Sequence, residues 1–176
     1  IIRSILKNIK FPLAMPSANK SKRVSPICAK DVFEDFQKKI PLIIDGGDSD
    51  VGIESTVIDL TSSPKILRPG KIDINAIEKV LKLKIYKSNK SYSKTKSPGL
   101  MKKHYSPGIP VLINQKIHDG KSAFVYLGKK YINRKNFFSL SKNFNLNIAA
   151  SNLYKTFRII KKKGYKKIQI GKIPNI

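Results

Sequence analysis

Apolar positions recur along this chain with two periods in turn, one helical and one extended. Residues 3–10 mix apolar and basic positions at helical spacing and read as the end of a helix. Cys28, Val32, Phe36 and Ile40 follow at i, i+4 intervals and form one apolar stripe on a second helix. Ser25-Pro26 predicts its start: a serine hydroxyl accepts from the unpaired N–H groups of a first turn, and proline is tolerated at the first helical position. Pro41 predicts its stop. Short runs at residues 42–45, 54–60 and 66–68 predict strands, with turns at Gly46-Gly47-Asp48 and Pro69-Gly70. Asp73 predicts the cap of a helix carrying Ile74, Ile77 and Leu81. Strands alternating with helices predict the α/β class.

The pattern then breaks. Residues 86–103 are rich in Lys, Ser and Asn with few aliphatics, which predicts a linker; it runs into SPGLMKKHYSP at 97–107. Periodicity returns at Val111. Strands are predicted at 111–114, 122–127 and 167–170, and a helix at 148–163 with Leu153, Phe157 and Ile160 on one face. The chain therefore divides into residues 1–82, a linker at 83–108, and a small α/β unit at 109–176. It opens at Ile1 inside an amphipathic stretch and stops just after a strand. The expectation is a piece of a larger enzyme.

Composition changes this picture little. One cysteine, Cys28, excludes an internal disulfide and suits a reducing, cytoplasmic setting; at its position it reads as a small hydrophobe on a helix. No apolar run approaches the ~18 residues of a membrane span, and no membrane partner is expected. The net charge of +25 has two readings. Lys far outnumbers Arg and Ile and Asn are frequent, as codon bias produces; the same charge would also suit RNA through phosphate neutralisation, at residues 161–163 or 82–103.

Several motifs fail. Gly120-Lys121-Ser122 resembles the end of a P-loop, but Gln115 stands where the earlier glycine belongs. His104 and His118 are too isolated for zinc. Asp45, Asp48 and Asp50 are oxygen ligands of the kind Mg²⁺ takes, yet the same three suit a solvated turn. More informative is the loop at 15–26, which holds Ser17, Asn19, Ser21 and Ser25 among Lys20, Lys22 and Arg23. Hydroxyls, an amide and backbone N–H groups near a helix start suit a phosphate or carboxylate. Ser55 at a strand start and Arg68 at a strand end add a hydroxyl and a planar fork.

Together PSANKSKRVSP, DGGDSDVGIESTVIDL, ILRPGKI and SPGLMKKHYSP stand in the order and spacing of the YrdC-type threonylcarbamoyl-adenylate synthases. The chain resembles the two-domain form of that family over nearly its whole length. The resemblance implies the C-terminal part of a YrdC-like twisted open sheet, then a linker, then a small Rossmann-like α/β/α domain. It implies that L-threonine, bicarbonate and ATP, with Mg²⁺, yield threonylcarbamoyl-adenylate and pyrophosphate, and that a downstream transferase complex uses the product to modify tRNA.

Carried over by position, Ser17, Ser25, Arg68 and Asn19 would serve ATP, and Met15 and Ser55 would serve L-threonine. Leu100, His104 and Tyr105 would form a linker lid that excludes water from a hydrolysable product. No residue is implied as a covalent nucleophile or as a metal ligand.

Three departures stand out. The family's first half would precede Ile1, so the chain alone is expected to be inactive and poorly folded. Lys22 stands where the family pattern has Gly, which argues against a left-handed turn there. Lys102 replaces an aromatic or His of the lid. Alternatives are a carbamoyltransferase using carbamoyl-adenylate, an RNA-binding module without catalysis, and a degraded gene product.

Overall fold

The computed structural model describes residues 1–87 and 105–173, with backbone only at 86–87. Its first unit opens with helix α1 (Ile2–Asn8) and continues through the Ser/Asn loop to α2 (Ala29–Phe36). Strands β1 (Val57–Asp59) and β2 (Lys65–Arg68) pair antiparallel. Helix α3 (Ile74–Leu81) then leads to β3 (Tyr86–Lys87), which joins β2 in parallel. The second unit holds β4 (Val111–Gln115), β5 (Ala123–Leu127), β6 (Phe137–Ser141), α4 (Leu146–Lys162) and β7 (Ile168–Gly171). Its four strands are parallel in the order β4-β7-β5-β6. The α/β expectation holds.

Local chemistry explains most boundaries. The Asp73 carboxylate accepts from the Asn75 N–H and caps α3 as expected, while Asn145 does the same for α4 through Ile148 N–H. The α2 start is different. Its N-cap is Cys28, whose side chain makes no capping bond, and the Asp31 carboxylate instead reaches back to Ile27 N–H at 3.2 Å. Ser25 lies outside the helix, so its hydroxyl does not cap the first turn as expected. The helix ends at Phe36, before Pro41, because Gln37 adopts φ +50°.

Two strand expectations are also corrected. Residues 42–45 form no strand: no described residue offers them a ladder, and Leu42 and Ile44 stay exposed. Conversely β6 was missed by periodicity, since FFSLS carries apolar groups on both faces of the strand, as buried parallel strands do. β3 falls inside the stretch read as linker.

Packing unites the two units. Ala123, Val125, Leu140, Ile168 and Ile170 form one face of the second sheet, and α4 covers it with Ala149, Tyr154, Phe157 and Ile160. Val24 and Ile27 of the first unit belong to this same core. Charges close the seam. Arg158 Nη2 meets Asp35 at 2.7 Å, and its Nε lies 3.4 Å from the buried Asp31. Lys162 pairs with Glu34 at 2.7 Å. Gly52 permits the close approach of the turn to α4: a Cβ there would sit 2.4 Å from the Ser151 carbonyl oxygen, at a φ of +67°.

Candidate active site at the seam between the units

The Ser/Asn loop is shaped by its own amide. Asn19 Nδ2 donates to Lys20 O at 3.0 Å and Arg23 O at 3.1 Å, closing the loop on itself. Lys22 takes φ +66° inside it. The left-handed turn therefore forms although Lys replaces Gly, which overturns the expectation drawn from that departure. The loop is also held from outside. Val24 N–H donates to Ser106 O at 3.2 Å and Ser106 N–H donates to Lys22 O at 3.0 Å. These bonds clamp the returning end of the linker segment onto the loop.

Ser25 turns its hydroxyl away from α2. It donates to the Glu54 carboxylate in a short bond and lies 3.5 Å from Asn19 Oδ1. Ser17, Ser25, Ile27, Ser49, Gly52, Glu54 and Tyr154 line one cavity of about 260 Å³. Ser17 and Met15 are exposed.

Arg68 gathers the second group. Its Nε and Nη2 donate to Ser55 O at 3.1 and 2.9 Å, and Nη2 also reaches Ser55 Oγ at 3.0 Å. Its Nη1 donates to the Tyr105 hydroxyl, and the guanidinium carbon lies 5.7 Å from that ring. The turn after β2 holds this geometry. A Cβ at Gly70 would lie 2.3 Å from the Ser55 carbonyl carbon, so only glycine lets the two segments meet.

Two residues that the sequence reading did not select complete the arrangement. Tyr154, on α4, stacks on Tyr105 at 6.4 Å with 21° between ring planes and lines the Ser17–Ser25 cavity. Glu54 takes the Ser25 proton donor. Burial, and after it the Glu54 charge, pushes the phenols of Tyr154 and Tyr105 above the ordinary tyrosine value; Arg68 pulls both the other way. Both therefore remain protonated at neutral pH, and the Tyr105 hydroxyl accepts from Arg68. Glu54 was legible only as the neighbour of Ser55. Nothing in sequence spacing ties Tyr154 to a loop some 130 residues earlier.

Of the expected site residues, the structure thus joins Ser17 with Ser25, Ser25 with Asn19, and Ser55 with Arg68 and Tyr105. Met15 is exposed, and among the described residues no hydrogen bond joins it to them. Leu100, His104 and Lys102 lie outside the described residues. Asp45 and Asp48 serve other ends: Asp45 accepts from Gly47 N–H at 2.9 Å, and Asp48 lies 3.7 Å from Lys155. Among the described residues no three His, Cys, Asp or Glu lie together as a metal site, and no helix is long and apolar enough to cross a membrane.

The chain matches known proteins in both units. The Sua5_yciO_yrdC family, described as telomere recombination, matches residues 1–70, and the C-terminal domain of threonylcarbamoyl-AMP synthase matches residues 72–175. The chain belongs to the threonylcarbamoyl-AMP synthase family. Threonylcarbamoyl-AMP synthase of Pyrococcus abyssi is 46% identical over 106 residues, covering 58% of this chain and 31% of the relative. That of Schizosaccharomyces pombe is 46% identical over 111 residues, covering 58% and 27%; that of Bacillus subtilis is 36% identical over 113 residues, covering 62% and 33%. The crystal structure of P. abyssi Sua5 complexed with L-threonine superposes with a TM-score of 0.74 at 32% identity, over 90% of this chain and 52% of that one. The chain thus spans about half the length of this solved Sua5, and its match covers about a third of each curated relative.

Proposed function

We propose that this chain supplies one wall of an adenylation site that makes threonylcarbamoyl-adenylate from L-threonine, bicarbonate and ATP, releasing pyrophosphate. The observation that carries the reading is the convergence of Ser55, Tyr105 and Tyr154 around Arg68, from both units and from the end of the linker segment. Adenylation is displacement at the α-phosphorus of ATP. The protein positions reactants and balances charge, and it needs no nucleophile of its own.

In this reading Ser17, Ser25, Asn19 and Arg68 serve ATP. Ser55 and the Met15 backbone serve L-threonine, a ligand borne by the solved relative. Binding of ATP frees Arg68 and Ser25 from their present partners. Tyr105, with Leu100 and His104, closes the cleft against water. Mg²⁺, which keeps several waters, would be held mainly by the substrate phosphates and would balance their charge. The product passes to a tRNA-modifying transferase in the cytoplasm.

A chimera tests this. Residues 1–173 replace the matching part of the P. abyssi relative, and threonylcarbamoyl-adenylate is measured by mass. Product should depend on both L-threonine and bicarbonate, and Arg68→Ala should lower it roughly a hundredfold. Turnover that accepts carbamoyl phosphate in place of L-threonine and bicarbonate would assign the cleft to carbamoyl transfer instead.

A further inference from the structure

Helix α4 turns one stripe of residues towards the first unit. Asn147, Ser151, Tyr154, Arg158 and Lys162 recur at intervals of three or four, the spacing of one helix face. Each meets a different part of the chain. Asn147 Oδ1 accepts from Lys71 Nζ, one residue past Gly70; the Ser151 backbone lies against Gly52; Arg158 takes Asp31 and Asp35, and Lys162 takes Glu34. These contacts fasten the units together. Tyr154 reaches the site itself, since its buried ring stacks on Tyr105 and lines the cavity of Ser17, Ser25 and Glu54.

Tyr105 needs that neighbour. It takes a φ of +52°, a left-handed conformation that a residue with a Cβ holds only when its surroundings impose it. The backbone bonds of Ser106 to Lys22 and Val24 fix the next residue in the chain. They do not orient the phenol ring. Tyr154 does, with the two ring planes 21° apart. The Tyr105 hydroxyl then accepts from Arg68 Nη1, and the guanidinium carbon lies 5.7 Å from the Tyr105 ring. Tyr154, Tyr105 and Arg68 thus form one row drawn from α4, the end of the linker segment and β2.

We propose that Tyr154 is a positioning residue of the adenylation site: acting through Tyr105, its ring fixes the Arg68 guanidinium and closes the linker's return over the cleft. The chemical consequence rests on the adenylation reading; the row of side chains does not. Without the Tyr154 ring, Tyr105 relaxes from its left-handed conformation and water reaches the product. In threonylcarbamoyl-adenylate a carbamoyl carbon is joined to a phosphate oxygen. Water attacking that carbon breaks the C–O bond and releases AMP; the carbamate left on the threonine nitrogen hydrolyses in turn to L-threonine and bicarbonate. Loss of the ring should therefore show as ATP converted to AMP without product.

A double-variant cycle in urea unfolding of the full chain tests the row without catalysis. Tyr154→Leu combined with Arg68→Ala should shift the unfolding constant about five- to tenfold less than the product of the single shifts, and this coupling should vanish in a Tyr105→Leu background. Independent single effects, or a coupling that persists without Tyr105, would overturn the proposal. The chimera tests the consequence. Tyr154→Leu should raise the AMP formed per threonylcarbamoyl-adenylate at least about tenfold, and Tyr154→Phe, which keeps the ring, should restore most of the loss. Arg158→Ala loosens the same seam and lowers only the folded fraction, so its ratio should stay that of the parent. An equal rise in Arg158→Ala would reduce Tyr154 to a packing residue and overturn the proposal. No product from the parent chimera would overturn the adenylation reading instead, and the cycle would still decide whether Tyr154 acts through Tyr105.

Discussion

Tyr154 of α4 stacks on Tyr105 at 6.4 Å, and Tyr105 accepts the Arg68 guanidinium. A residue of the second unit thereby supports a contact made by the first. Tyr154 is 7% exposed, so truncating it removes both a buried ring and this support. Tyr154→Ala should destabilise the chain by about 3–5 kcal/mol in urea unfolding. Tyr154→Phe should lose far less, because among the described residues no hydrogen bond to its hydroxyl fixes the stack.

Arg158 is the charged rivet of the seam. Asp31 is 7% exposed, and removing its cation leaves a buried carboxylate with the Ile27 N–H but no opposite charge beside it. Arg158→Ala should cost about 3–5 kcal/mol by urea unfolding. Combining it with Asp35→Asn should show a non-additive term of about 1–3 kcal/mol, since the two side chains meet at 2.7 Å.

Lys22 pays backbone strain at φ +66°. A residue with a Cβ costs roughly 1–2 kcal/mol in that region, and glycine does not. Lys22→Gly should therefore raise the urea midpoint, by less than the full strain because glycine also frees the unfolded chain.

Gly70 touches the Ser55 backbone at a distance that excludes any side chain. Gly70→Ala should push the two segments apart and break the Arg68–Ser55 bonds. In the chimera this should lower threonylcarbamoyl-adenylate formation with the Arg68 side chain intact; unchanged formation would show that the Arg68–Ser55 geometry is not needed.

Asp119 sets an acid limit. Its bond to Lys167, then those to Ser122 and to the Lys121 N–H, hold its carboxyl well below the usual aspartate value. A lowered folded value contributes stability that is present above the unfolded pKa of about 3.9 and lost as pH falls through the folded value. The urea midpoint should therefore fall below about pH 5, and Asp119→Asn should flatten that limb while lowering the midpoint at neutral pH.

Local rules reached a good part of this. The α3 cap at Asp73, the α4 stripe of Leu153, Phe157 and Ile160, and strands β2, β4, β5 and β7 were legible because neighbours along the chain decide them. Period alone failed where partners decide: residues 42–45 are apolar enough for a strand but have no ladder among the described residues, and β6 hides its strand character by being apolar on both faces. The site divides in the same way. Ser25, Ser55 and Arg68 were chosen for their chemistry, whereas Glu54 and Tyr154 act only because folding places them there.

By itself, then, the sequence determined the class of the fold, the order of its elements and the family, because period, caps and motif spacing are local properties. Only the tertiary structure decided that Ser25 faces Glu54 rather than α2, and that Lys22 accepts a turn suited to glycine. It also decided that Tyr154 closes a site some 130 residues back in the chain. Those outcomes depend on burial and on contacts between distant segments, which exist only once α4 has packed against the first unit.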